Sequence, residues 1–141
     1  ISKRDMAELN TKLNTKLGET DFLIIITGFY KYRKKEPEKY LTQNPGLSPE
    51  LIDYLRKNFP SIKAIGIDCI SISSFGNPDI AIKTHQTAFI EDEKYGEPLL
   101  LVEDMDLSIL STSEHIKKLF LMPWQVKGVD SAPCTVIVEL F

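Results

Sequence analysis

The apolar run Ala64–Ile67, which is followed by the carboxylate of Asp68, constrains the fold of this chain more than any other feature. Together with the two residues before it, the run predicts a strand at Ile62–Ile67 inside an apolar interior. Two further runs, Phe22–Ile26 and Leu99–Val102, predict other strands, and the first of them reads as a central strand covered on both faces. A loop and a helix separate the first two strands within about 45 residues, as in the crossover unit of parallel strands. We therefore expect an α/β fold.

Capping residues predict where three helices begin. Ser2 is followed by Asp5, and Ser48 and Asn77 each precede a proline, a pattern typical of the first helical turn. The apolar positions of the first helix are Met6, Leu9, Leu13 and Leu17. Those of the third are Ala81, His85, Ala88 and Phe89. Since residues three and four apart share a helix face, His85 should point inward.

The remaining segments give weaker signals. Lys31–Tyr40 is basic and rich in tyrosine but lacks periodicity, and we interpret it as an exposed loop, with a solvated surface favoured over contact with an anionic or aromatic substrate. A capping pattern at residues 111–114 predicts a short helix through Phe120. That helix carries His115, which we expect to be exposed and to which we assign no role. The β-branched residues of Cys134–Phe141 predict a closing strand.

The composition fits one soluble domain that spans residues 1–141. The chain is 43% hydrophobic and 26% charged, as is usual for a single packed core. Its formal net charge is −3 and its pI is near 5.4, which argues against a nucleic-acid partner, since phosphate backbones are bound by basic surfaces. No apolar stretch reaches the roughly 18 to 20 residues of a membrane span. We expect no membrane partner.

The cysteines and the N terminus add two expectations. Cys69 and Cys134 both lie in apolar stretches, and we interpret them as reduced, buried thiols of a cytoplasmic protein. The chain begins at Ile1 rather than at a methionine, and Ser2 already has the character of a helix cap. We therefore expect the chain to begin part-way through a longer protein.

One pair of candidate functional residues stands out from the pattern. The chain has no short local signature for a nucleotide site, a zinc protease or a serine hydrolase. His85 on its apolar helix face and the acids that follow the last apolar run, Glu103 or Asp104, are metal-competent groups that burial makes costly without a partner. The alternative is a satisfied core histidine and a carboxylate that caps a sheet end. Asp68 is a further candidate ligand, although an acid after a strand usually makes local backbone hydrogen bonds.

Six separated blocks of sequence share their order and spacing with one protein family. The blocks are Thr27–Phe29, Pro45–Pro49, Ala64–Ile72, Thr84–His85, Leu101–Leu107 and Asp130–Cys134. Together they resemble the cyclase family of metal-dependent hydrolases, which includes bacterial kynurenine formamidases. The resemblance implies a swivelling β/β/α fold. It also implies one or two divalent metal ions, usually zinc or manganese, that activate water to open an amide or lactam of a small-molecule substrate.

The resemblance assigns His85 and Glu103 to the positions of the family's two later metal ligands. The chain departs from the family in two respects: it lacks the His-x-Gly-Thr-His-x-Asp motif that supplies the earlier ligands, and the interval from His85 to Glu103 is longer. A catalytic zinc ion generally needs three protein ligands. We therefore expect either the C-terminal part of a longer hydrolase, which alone would be inactive and would lack the metal, or a non-catalytic binding or assembly module. Apolar surface left uncovered would favour a homo-oligomer.

Overall fold

The computed structural model describes residues 1–2, 4–5, 17–110 and 116–141. The chain forms two compact units, Ile1–Ser108 and Ile109–Phe141. Within the described ranges, no helix combines the length and the apolar character that a bilayer crossing requires. The interpretation of residues 1–141 as one cyclase-like domain stays a prediction.

A parallel three-stranded sheet lies at the centre of the first unit. Its strands are β1 (Phe22–Ile25), β2 (Ala64–Ile67) and β3 (Leu100–Val102), in the order β1-β2-β3. Both pairings are parallel, so the predicted α/β class is confirmed. The prediction of a central β1 is wrong for the described sheet: β2 is central and fully buried, whereas β1 is half-buried. An apolar run indicates that a strand is buried, but it does not reveal how many other strands pair with it.

Two helices, α3 (Pro49–Asn58) and α4 (Pro78–Phe89), pack against each other beside the sheet. Both begin as predicted, because the side chains of Ser48 and Asn77 accept hydrogen bonds from backbone N–H groups in the first turn. The buried core residues of the unit are Leu17, Leu47, Leu51, Ile52, Leu55, Ile62, Ile65, Ile67, Cys69, Ile72, Ala88 and Leu99. The core therefore lies between the sheet and these helices.

The segment predicted as an exposed loop is helical instead. A 3-10 helix at Phe29–Lys31 leads into α1 (Tyr32–Lys35), and α2 follows at Pro37–Thr42. Most of its basic side chains are exposed, but Tyr40 is buried and stacks on the ring of Phe29, with 6.0 Å between centroids. The prediction failed because the helices are held by this aromatic packing rather than by a periodic apolar face.

Arg56 joins the end of α4 to the segment that leads into β3. Its buried guanidinium donates hydrogen bonds to the backbone carbonyls of Thr87, Ile90, Gly96 and Glu97, at 2.7, 2.8, 3.4 and 2.8 Å. The side chain also lies over the ring of Tyr95, 4.6 Å from its centroid. One cation from α3 thereby ties the end of α4, the helix that carries His85, to the polar turn that precedes β3.

The first predicted helix lies mostly outside the described residues. Its cap is present, since the Ser2 N–H and hydroxyl donate to the Asp5 carboxylate at 2.7 and 2.8 Å. The predicted apolar positions Met6, Leu9 and Leu13 fall outside the described ranges. Leu17 is buried in a 3-10 helix, Leu17–Glu19.

The second unit contains an antiparallel hairpin of β4 (Ile116–Pro123) and β5 (Cys134–Leu140). The closing strand is confirmed, but the predicted helix through Phe120 is wrong, because Phe120 lies in β4 opposite Ile137. Cross-strand pairing of this kind outweighs a local capping pattern. Residues 111–115, with His115, lie outside the description.

Candidate functional site

The carboxyl ends of β2 and β3 lie at the same edge of the sheet, which is where parallel sheets commonly bind ligands. β2 continues into Asp68–Ser73, and β3 continues into Glu103 and Asp104. Helix α4 brings His85 to this edge, and the predicted pair comes together: His85 Nε2 lies 3.3 Å from Glu103 Oε1. Both side chains are about one-third exposed.

The Glu103 carboxylate is held firmly at one oxygen. Besides His85, Oε1 accepts hydrogen bonds from the Ile72 backbone N–H at 2.7 Å and from the Ser71 hydroxyl at 3.0 Å. Burial acts to raise the pKa of Glu103, but hydrogen bonds from His85, Ile72 and Ser71 outweigh it and hold the pKa below its usual value. The side chain is therefore an ionised carboxylate whose Oε1 atom is fixed in position.

The partners of His85 leave its second nitrogen facing a negative charge. Nδ1 lies 2.9 Å from the Ala81 carbonyl oxygen, which can only accept, so Nδ1 carries a proton. In the neutral imidazole, the Nε2 lone pair then faces the Glu103 carboxylate, another acceptor. A positive charge must lie between them: either a proton on Nε2 or a bound cation. The hydrogen bond to Glu103 accordingly raises the pKa of His85, against the effect of burial.

Asp104, the other candidate acid, has different partners. Tyr40 donates its hydroxyl to Asp104 Oδ1 at 2.6 Å, and Arg33 forms an ion pair with Oδ2. Burial, together with the neighbouring carboxylate, raises the pKa of Tyr40 far above its usual value, so the hydroxyl stays protonated and donates. The geometry therefore pairs Glu103 rather than Asp104 with His85.

Asp68 is fully buried and holds the ends of β1 and β2 together. Its carboxylate accepts hydrogen bonds from the Thr27 N–H at 2.9 Å, the Thr27 hydroxyl at 2.7 Å and the Gly28 N–H at 2.7 Å. These are backbone and side-chain bonds to a distant segment, not the local bonds expected from sequence. Gly28 has φ 75°, a conformation that glycine adopts without strain. Asp68 thus has a structural role, since it joins the segment after β2 to the segment after β1.

An open cleft of about 720 Å³ is lined in part by residues that contact the His85–Glu103 pair. Its lining is largely apolar, with polar groups from Thr42, Asn44, Ser71 and Ser73. Ser71 is also a partner of Glu103, and the Ser73 hydroxyl lies 3.5 Å from His85 Nδ1. The two serines therefore connect the cleft to the pair.

Sequence reasoning missed the residues that hold the two candidate acids, Glu103 and Asp104. Ser71, Ser73 and Tyr40 are distant in sequence from Glu103 and Asp104, and only the alternation of serines after β2 hinted at a polar edge. Among the residues that the structure describes, no group of three or more His, Cys, Asp or Glu side chains is arranged to hold a metal ion. The described site thus brings together two metal-competent side chains, His85 and Glu103.

Comparison with known proteins identifies the family. The Cyclase family model, described as "Putative cyclase", matches residues 1–74. A Haemophilus influenzae (strain ATCC 51907 / DSM 11121 / KW20 / Rd) protein named "Uncharacterized protein" is 35% identical over 51 residues, which are 36% of this chain and 36% of that relative's length. No solved structure matches the chain. The family match includes the ends of β1 and β2 and stops before His85 and Glu103. Because it covers more than half of the 141 residues, this chain belongs to the Cyclase family.

Proposed function

We propose that this chain is part of a metal-dependent hydrolase that opens an amide or lactam C–N bond, with His85 and Glu103 as two ligands of a divalent metal ion. The family membership supports an enzyme, and the swivelling β/β/α architecture belongs to the same proposal. The observation that carries the proposal is the approach of His85 Nε2 to Glu103 Oε1, two acceptors 3.3 Å apart when the imidazole is neutral.

The surroundings of the two residues fit metal ligation. A ligating histidine usually donates its other N–H to a carbonyl or carboxylate, which fixes the tautomer. Here His85 Nδ1 does this toward Ala81. The hydrogen bonds from Ser71 and Ile72 fix the Glu103 carboxylate in the same way. Imidazole and carboxylate are donors that suit zinc or manganese.

The donor set is incomplete within the described residues, since a catalytic site needs at least three protein ligands and an open position. We propose that the remaining ligands come from outside those residues. When bound, the ion supplies a Lewis acid that polarises a carbonyl and lowers the pKa of water. His85 and Glu103, which are themselves held by backbone groups, would fix the position of the ion. The cleft would receive the uncharged part of a small-molecule substrate.

The experiment is metal analysis and activity of the intact protein, including any sequence that flanks this chain. We expect stoichiometric zinc or manganese in the wild type, loss of most of it in His85→Ala, and a parallel loss of hydrolysis of an N-formyl aromatic amide. Gln86→Ala is the matched control, since it changes the exposed residue next to His85 on the same helix. No stoichiometric metal in the intact wild type, or unchanged hydrolysis in His85→Ala, would refute the proposal.

A second candidate function is a non-catalytic binding or assembly module. The absence of a third ligand among the described residues favours it. Either function is compatible with a homo-oligomer, which we propose because the hairpin exposes Phe120, Met122 and Ile137 and a two-stranded sheet alone is marginally stable. Light scattering tests this, and a monomer at all concentrations would contradict it.

A further inference from the structure

Asp104 has a backbone conformation that few side chains tolerate. Its φ is 58°, and it is the only non-glycine residue with positive φ in the part of the chain that the structure describes. Aspartate and asparagine tolerate this left-handed region better than other residues, but not without cost. Such strained residues persist where surrounding contacts hold them, and they often lie at functional sites.

Contacts on both the backbone and the side chain hold this conformation. The Asp104 N–H donates to the Cys69 carbonyl at 2.7 Å. Its carboxylate is bound by Tyr40, which is buried, and by Arg33. The next residue, Met105, donates its N–H to the Ile67 carbonyl at 3.1 Å. The chain is thus tied to the end of β2 on both sides of the turn.

The turn at Asp104 restrains the residue immediately before it, Glu103. Glu103 reaches back to Ile72 and Ser71 on the segment after β2, while Asp104 is held by α1 and α2. We propose that Asp104 is a positioning residue: its pinned left-handed turn holds the Glu103 carboxylate against Ile72 and His85. The link to catalysis rests on the proposed function, but the geometric claim does not require a metal ion.

Hydrogen exchange of the Ile72 amide tests the geometric claim directly. This buried N–H donates to Glu103 Oε1 at 2.7 Å, so it exchanges faster if Glu103 is released. The Ile65 amide, in the central strand, reports overall opening of the unit, and the ratio of the two rates corrects for global stability. The exchange is measured by NMR on the metal-free protein at fixed pH.

Replacement of Asp104 by alanine removes both side-chain bonds and retains the cost of the left-handed turn. We expect the Ile72-to-Ile65 rate ratio to rise about tenfold in Asp104→Ala, as expected for a residue that tolerates this turn poorly. Asp104→Asn keeps an acceptor for Tyr40 and tolerance of the turn, and should stay within about threefold of the wild type. The control Asp106→Ala removes a nearby exposed acid whose partner is Ser108 and should leave the ratio unchanged.

A milder variant covers the case in which Asp104→Ala does not fold. Tyr40→Phe removes only the hydroxyl and should raise the ratio about threefold or more. A ratio within about twofold of the wild type in both Asp104→Ala and Tyr40→Phe, or an equal rise in Asp104→Asn and Asp104→Ala, would overturn the proposal. A changed ratio, in an intact protein that binds neither zinc nor manganese, would leave the positioning role standing and refute the proposed function alone.

Discussion

The loss of the Glu103 carboxylate should destabilise the first unit even without metal, because this group satisfies buried donors. Glu103→Gln keeps an oxygen that accepts from Ile72 and Ser71 but removes the charge. A hydrogen bond to a charged group contributes about 1.5 to 3 kcal/mol, against about 0.5 to 1.5 for a neutral one. With two such bonds weakened, the free energy of unfolding should fall by about 2 kcal/mol.

Glu103→Ala should cost more, because no acceptor remains. Ile72 is fully buried, so its N–H would lose its partner away from water, at a further cost of about 1 to 3 kcal/mol. The total loss should therefore be about 4 kcal/mol. The order of the variants is a stricter test than either value: alanine must be worse than glutamine.

Urea unfolding followed by circular dichroism measures these differences in metal-free buffer at pH 6. Glu93→Gln, at an exposed position, is the control and should stay within about 0.5 kcal/mol of the wild type. If both Glu103 variants also stayed within that margin, or if glutamine were as damaging as alanine, the carboxylate would not be the acceptor that holds this edge.

Three further predictions concern other parts of the molecule. Arg56→Lys should lower the free energy of unfolding by about 2 to 3 kcal/mol, because one ammonium group cannot reach four carbonyls; an unchanged urea midpoint would contradict this. Cys134 is exposed, so the expectation of two buried thiols is wrong for it, whereas Cys69 is buried and burial raises its pKa to about 11. Iodoacetamide at pH 8 should therefore modify Cys134 much faster than Cys69, and equal rates by mass spectrometry would show that Cys69 is accessible. The raised pKa of His85 gives stabilisation that is complete below its ordinary value of 6.5 and is lost as pH rises through the folded-state value. The lowered pKa of Glu103 gives stabilisation present above 4.5 that is lost as pH falls through its folded-state value. Metal-free unfolding should therefore show a decline above pH 6.5 that His85→Gln abolishes; the same decline in both proteins would assign it to another group.

Local signals predicted the fold where local interactions decide it. Ser48 and Asn77 cap their helices because their short polar side chains accept hydrogen bonds from free N–H groups of the first turn, and the proline that follows fits the first helical position. The run Ala64–Ile67 is a buried strand. The helical segment around Tyr40 and the strand that contains Phe120 could not be predicted in this way, because aromatic stacking and cross-strand pairing join residues that are distant in sequence.

The candidate site, too, was predicted only in part, because its contacts join residues that are distant in sequence. The residue pattern offered His85 with either Glu103 or Asp104 as a weak signal, and the family resemblance assigned Glu103, because a separation of 18 residues does not by itself show that two side chains meet. The choice of Glu103 over Asp104 depends on Tyr40, which no sequence pattern connects to either acid. The hydrogen bonds that Thr27 donates to Asp68 show the same limit, since an acid at a strand end was expected to bind its own loop.

Anomalous diffraction from crystals of the intact protein grown with zinc distinguishes metal ligation from a direct contact between His85 and Glu103. We expect a zinc peak about 2.0 to 2.2 Å from both His85 Nε2 and a carboxylate oxygen of Glu103. Crystals in which the two side chains stay in direct contact, with zinc absent or bound elsewhere, would refute ligation by this pair.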